Sequence, residues 1–289
     1  MRSLLRLILP LVLAVTAAAA DKPVTLPAAE DTSGIDWLSA LIPKAFQPNP
    51  RLEMSVFTEL TPEGRKLPEA SPAHPAYFVA KDQGFQQKGA ALGGEHPPDA
   101  ARLERTFFDV LARQGYLPAT DQAHPPSLVL VYFWGSHNAM APEDAQNFPE
   151  LAEQYDLERA ALVGGRRYAQ QFADQQAFGV SLADRSPKKD FLRNQATVDL
   201  YYVVVSAYAF NELAQNKHLL LWRTTMTVTA NGVNMQESLP ALIVTGGDYF
   251  GRPMDEAAAI RRNVRRGTVT LGPLNILDED VHVPPPKDK

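Results

Sequence analysis

The sequence predicts an α/β (α+β) fold: a single domain with a mixed, mainly antiparallel sheet, helices packed on it and a helical insert. Three observations lead there. Segments rich in β-branched and aromatic residues recur along the chain, the densest at 197–210 and 218–229. An amphipathic helical segment at 100–114 separates two others, and a polar, helix-prone stretch at about 142–189 interrupts the series. No internal repeat or linker divides the chain, so one domain accounts for the pattern.

The amino terminus reads MRSLLRLILPLVLAVTAAAADKP, with Arg2 and Arg6 ahead of an apolar run and Ala18, Ala19 and Ala20 at its end. This pattern predicts a secretory signal peptide over 1–20, cleaved before Asp21. The run from Leu7 to Ala20 falls short of the roughly 20 apolar residues that a spanning helix needs, so the mature chain is expected to carry no transmembrane segment. The sequence contains no cysteine. A disulfide framework and acylation at a lipobox are both excluded, and the core must stabilise itself by burial. Net charge is −5, and without Arg2 and Arg6 the balance is 26 basic to 33 acidic side chains. Nucleic-acid binding, which calls for basic excess, is not expected. The chain is expected to be exported to the periplasm or beyond.

The elements follow in order. Residues 21–50 form a Pro-rich arm, with a short apolar helix around Ile35, Trp37, Leu38, Leu41 and Ile42. The main α/β domain spans 51–277, and its first two strands are expected at 51–60 and 76–82. The helix at 100–114 places Leu103, Phe107, Val110 and Leu111 on one side, with Asp99 as cap and Gly115 as stop. A strand at 128–134, apolar on both faces, belongs inside a sheet. The insert reads as two helical pieces broken at Gly164 and Gly165, where two adjacent glycines penalise a helix.

The pair 197–210 and 218–229 reads as an antiparallel hairpin. In its second strand Leu220, Trp222, Met226 and Val228 share one face, while Arg223, Thr225 and Thr227 share the other, and one face of the hairpin is expected to be partly wet. Beyond it, SLPALIVTGGDYFGRP predicts a short apolar element running into a glycine-broken loop. A helix is expected to end at Gly267, followed by a last possible strand at 268–277 and a disordered tail at 278–289.

Four groups of residues carry possible chemistry. Ser136 and His137 end the strand at 128–134. As neighbours on an extended segment they point to opposite faces, and no G-x-S-x-G elbow surrounds them, so Gly135 to Asn138 reads first as a turn and only second as part of a hydrolase site. Glu95, His96 and Asp99 form the one dense group of potential metal ligands, read as a surface loop ahead of a helix cap. No metal or other cofactor is expected.

Arg261, Arg262, Arg265 and Arg266 would make a basic stripe on the expected last helix, suited to an anionic glycan or lipid. Asp255 and Glu256 at the start of that helix and arginines at its end also fit its dipole with no ligand at all. Asp248, Tyr249 and Arg252 sit in the glycine-broken loop, which lacks the spacing of a phosphate loop but can contact a partner.

A helix ending LARQGY, a strand SLVLVYFWG and a later strand LLLWRTTMTV resemble small exported bacterial domains of unknown function, many of them lipoproteins; LPALIVTGGDYFGR is similar to uncharacterised exported proteins of environmental bacteria. The resemblance covers 100–134 and 198–252. It implies a periplasmic or envelope accessory domain with a mixed sheet and helices on one face, acting through protein contacts and with no catalytic set. The chain departs from that pattern in lacking the lipobox cysteine and in carrying the insert at 142–189. A soluble accessory protein that contacts envelope proteins or an anionic surface is therefore expected, with a hydrolase around Ser136, His137 and the Gly246 to Arg252 loop as the alternative.

Overall fold

The computed structural model describes residues 42–90, 96–181, 185–213 and 215–265. The expected signal peptide, the expected apolar element around Trp37 except Ile42, Glu95, Arg266, the strand expected at 268–277 and the expected tail lie outside them.

Seven strands form one mixed sheet in the order β3-β2-β4-β5-β6-β1-β7. They are β1 (Arg51–Leu60), β2 (Ala76–Lys88), β3 (Tyr116–Pro118), β4 (Leu128–His137), β5 (Leu200–Ala209), β6 (Leu220–Thr229) and β7 (Ala258–Asn263). β2 runs parallel to both β3 and β4. Every other neighbouring pair is antiparallel. The mainly antiparallel mixed sheet predicted from sequence is thus present, and the two dense β segments form its β5–β6 hairpin.

Helix α1 (Ala100–Arg113) begins where Asp99 accepts a hydrogen bond from the Ala101 amide. α2 (Pro142–Asn147), α3 (Pro149–Phe178) and α4 (Pro187–Ala196) form the insert between β4 and β5, and α5 (Met235–Gly246) follows β6. The insert therefore runs on to Ala196, past the expected end at 189, which falls inside α4. α3 is interrupted as predicted: Gly165 sits at φ 81°, a conformation that costs any residue with a Cβ.

Alternation sorts the side chains into two faces. On the first, Met54, Val56, Leu130, Tyr132, Val203 and Met226 pack against α1 and α5 in the main core. Phe107 of α1 is buried there, its ring 4.7 Å from that of Tyr132 and 5.9 Å from that of Phe250. On the second, Phe57 and Leu200 meet Val163 of α3 and Phe191 and Leu192 of α4. The sheet is covered by helices on both faces, not on one as the resemblance implies. The insert provides the second layer.

Three local expectations are corrected. The strand expected to stop at Trp134 continues to His137, because β2 and β5 flank it on both sides and pair with Gly135, Ser136 and His137. Those pairings hold the glycine and serine extended in place of a turn. The apolar element at 241–245 is the end of α5, a full helix capped by Asn234 and carrying Pro240 inside it. Its buried residues Met235, Leu239, Leu242 and Ile243 fall on one helical stripe.

The last expected helix is instead β7, paired with the outer edge of β1. Its alanines and arginines favour a helix, but the backbone groups of β1 gain a hydrogen-bonding partner when this segment is extended. Arg261, Arg262 and Arg265 consequently form no stripe. Arg261 pairs with Glu53 at 3.4 Å and lies over the Phe191 ring on the second face. Arg262 donates to Thr245 Oγ1 at 2.8 Å on the first face, and Arg265 is exposed beyond the strand.

Candidate functional site

A cleft of about 340 Å³ opens between α3 and the second face of the sheet. Strand alternation brings Phe57 and Glu59 of β1, Phe133 and His137 of β4, Tyr202 and Val204 of β5, and Arg223 and Thr225 of β6 to its floor. Helix α3 supplies Glu158, Leu162, Gly165 and Arg166 as the opposite wall. The helix kinks at Gly165, where a Cβ would meet the Phe57 ring. The kink therefore lets the helix backbone come down onto the floor at that point.

At one end of the cleft lies a fixed polar cluster. Glu158 Oε2 accepts from Lys88 Nζ at 2.8 Å and from His137 Nε2 at 3.1 Å, while Gln154 Nε2 donates to Oε1 at 2.9 Å. Burial raises the Glu158 pKa, but the three donors and the Lys88 charge prevail and hold the carboxyl at about 2. An ionised carboxylate only accepts, so His137 carries its proton on Nε2. Its Nδ1 is buried and without a partner. Burial lowers the His137 pKa, aided by the charges of Arg159 and Lys88 and opposed by Glu158. Charging this ring would create a buried N–H at Nδ1 with no acceptor. Tyr155 covers it edge-on, with ring centres 5.4 Å apart.

Beside this cluster the end of β4 is pinned from several directions. Asn138 donates to the Ala90 carbonyl at 2.8 Å, and the Ala139 amide donates to Asp199 at 2.7 Å. Arg159, almost fully buried, donates to the carbonyls of Ala196 and Asn138 and pairs with Asp156. Consecutive residues of α3 thus divide the work: Glu158 fixes the cleft, and Arg159 ties α3 to α4 and β4.

The residues singled out in the sequence are not brought together. His137 faces the cleft, whereas Ser136, buried and one position away in the strand, faces the other layer. The Gly246 to Arg252 loop also lies on that other layer. There Phe250 stacks on Trp222 with ring centres 6.1 Å apart, and the Tyr249 carbonyl accepts from Thr58. Asp248 accepts from Gln114 at 2.8 Å, and Arg252 pairs with Glu69 at 2.8 Å. These groups serve the joint between α1 and α5 and contribute nothing to the cleft. Of the proposed metal-ligand group, Asp99 is engaged as the α1 cap. Among the described residues no cluster of three or more His, Asp or Glu is placed to hold a metal ion.

Sequence reasoning missed Lys88, Glu158 and Arg166 and read Arg223 only as part of a partly wet strand face. The one signal it had was that alternation, which correctly put Arg223 and Thr225 away from the main core.

No protein-family model matches the chain, and no curated protein matches its sequence. Two solved structures illustrate how distant its likenesses are. The PelC dodecamer from Paraburkholderia phytofirmans is similar at 9% identity and a TM-score of 0.29, over 67% of this chain and 93% of that one. A PDZ domain protein from Parabacteroides distasonis is similar at 10% identity and a TM-score of 0.35, over 78% of this chain and 41% of that one. Likeness at this level assigns neither family nor function, and among the described residues no helix is long and apolar enough to cross a membrane.

Proposed function

We propose that this is an exported accessory protein of the cell envelope that acts by binding and contact, with the cleft beneath α3 as its recognition site. The observation that carries this reading is the arrangement at His137. Its Nε2–H is spent on Glu158, and Ser136 points into the opposite layer, so the pair provides no nucleophile with an adjacent base. Glu158 is held ionised and fully engaged, which disfavours it as a general acid near neutrality. What remains is a walled cleft on rigid elements, of a size that small ligands occupy. The leader-like amino terminus supports export.

Two measurements test the reading. Purified protein incubated with panels of esters, peptides and glycans should show no turnover that disappears in His137→Gln. Turnover lost in that variant while its melting temperature is retained would overturn the binding role. Mass spectrometry of the protein recovered from the periplasmic fraction of a bacterial host should find a chain beginning at Asp21. An intact chain confined to the cytoplasm would overturn export.

A further inference from the structure

We infer that the cleft binds a small amphipathic anion: an oxyanion head, carboxylate or phosphate, on an apolar body. The inference deepens the binding role proposed above and rests on it. It begins from the charges that face the cleft. Glu158 is committed to Lys88, Gln154 and His137. Arg166, exposed on the helix wall, makes no side-chain hydrogen bond or ion pair with the described residues. Arg223, half-buried on the floor, uses only Nε, which donates to Ser206 Oγ at 3.0 Å. Its two terminal nitrogens are left for something else.

One carboxylate opposes them. Glu59 stands directly across from Arg223 in the β1–β6 pair, yet the two form no ion pair. Two uncommitted guanidiniums against one uncommitted carboxylate make the cleft locally positive in a chain whose net charge is −5. Lined by low-dielectric walls, such a spot concentrates anions. The Arg223 fork is oriented in advance by Ser206, so little freedom is lost when it grips two oxygens side by side. Glu59 beside it favours a head that also carries a hydroxyl.

Apart from Thr225, the middle of the floor is mostly apolar. Phe57, Phe133 and Val204 line it, beside the buried Tyr202, whose hydroxyl, its pKa pushed up to about 12 by burial and by the Glu158 charge, stays neutral and donates to the Gln86 carbonyl at 3.5 Å. An inorganic ion would leave these rings uncovered, whereas a short acyl or aromatic chain would cover them.

The test is calorimetric titration of the full mature chain with octanoate, octyl phosphate and octanol at low ionic strength. Both anions should bind roughly tenfold or more tightly than octanol, a gap of about 1.4 kcal/mol or more. Which anion binds better identifies the head group. Arg166→Gln, a change at an exposed position, should weaken octanoate several-fold with the melting temperature unchanged, and R166Q/R223Q should reduce octanoate to the level of octanol. Octanol binding as tightly as octanoate, octanoate affinity preserved in R166Q and R223Q, or no binding of any of the three to the unaltered chain would each overturn the inference. None of those results touches the absence of His137-dependent turnover, so the two readings fail separately.

Discussion

The two faces of the sheet solve the same problem differently. On the first, α1 and α5 bury apolar side chains against apolar strands, and the rings of Phe107, Tyr132, Trp222 and Phe250 interlock. On the second, the insert covers a floor that carries glutamate, arginine and threonine as well as phenylalanine. That layer is held by a few polar ties: the Glu158 cluster, Arg159, and Gln195 donating to the Glu53 carbonyl at 2.8 Å. The first face shows what it takes to hold the sheet together. The second gives up part of that packing and keeps a cleft.

The largest expected effect comes from breaking the stronger side. Phe107→Ala removes a buried ring from the first face and should cost about 3–5 kcal/mol, read as a lowered denaturant midpoint. Octanoate affinity of the folded fraction should not change, and a loss of that affinity would show that the two faces are coupled.

Gly165→Ala acts on the other layer. It forces a Cβ into a positive φ and against the Phe57 ring, and should cost about 2 kcal/mol. Thermal melts measure this. An unchanged melting temperature would mean that the kink is not required.

The smallest effect concerns the polar ties and is best seen against pH. Glu158 and His137 are both held below their ordinary values of 4.5 and 6.5. For groups shifted this way, stability is complete above the ordinary value and declines as pH falls toward the lowered one. A first decline should therefore begin below 6.5, from His137, and a second run from 4.5 to about 2, from Glu158. Glu158→Gln should cost about 1–2 kcal/mol near neutrality and remove the second decline relative to the unaltered chain. A second decline that persists in E158Q would assign it to other carboxylates.

Elements of both faces were legible where their signals are local. Asp99 and the 3.6-residue spacing of α1, the alternation in β6 and the paired glycines in α3 each announce an element within a few residues. Errors arose where a distant partner decides. Gly135 and Ser136 look like a turn until Gln86 and Gln87 on one side and Tyr202 and Tyr201 on the other pair with them. The arginines of β7 look helical until the free edge of β1 is considered. Pro240 and two glycines obscured α5, although Met235, Leu239 and Leu242 already lay on one stripe. The candidate site was the least legible part. Lys88, His137 and Glu158 come from three elements far apart in sequence, and no motif links a lysine on one strand to a glutamate on a helix that crosses above it.

His137 and Leu200 face each other across β4 and β5, so the chain leaves for α2 and returns from α4 at adjacent points of one antiparallel pair. Neighbours in such a pair lie only about 5 Å apart, a gap that a two-residue turn closes. Topologically the roof of the cleft is an elaborated hairpin loop. It can be lengthened, trimmed or exchanged without shifting the register of any strand, and the choice of ligand can change while the sheet beneath stays the same.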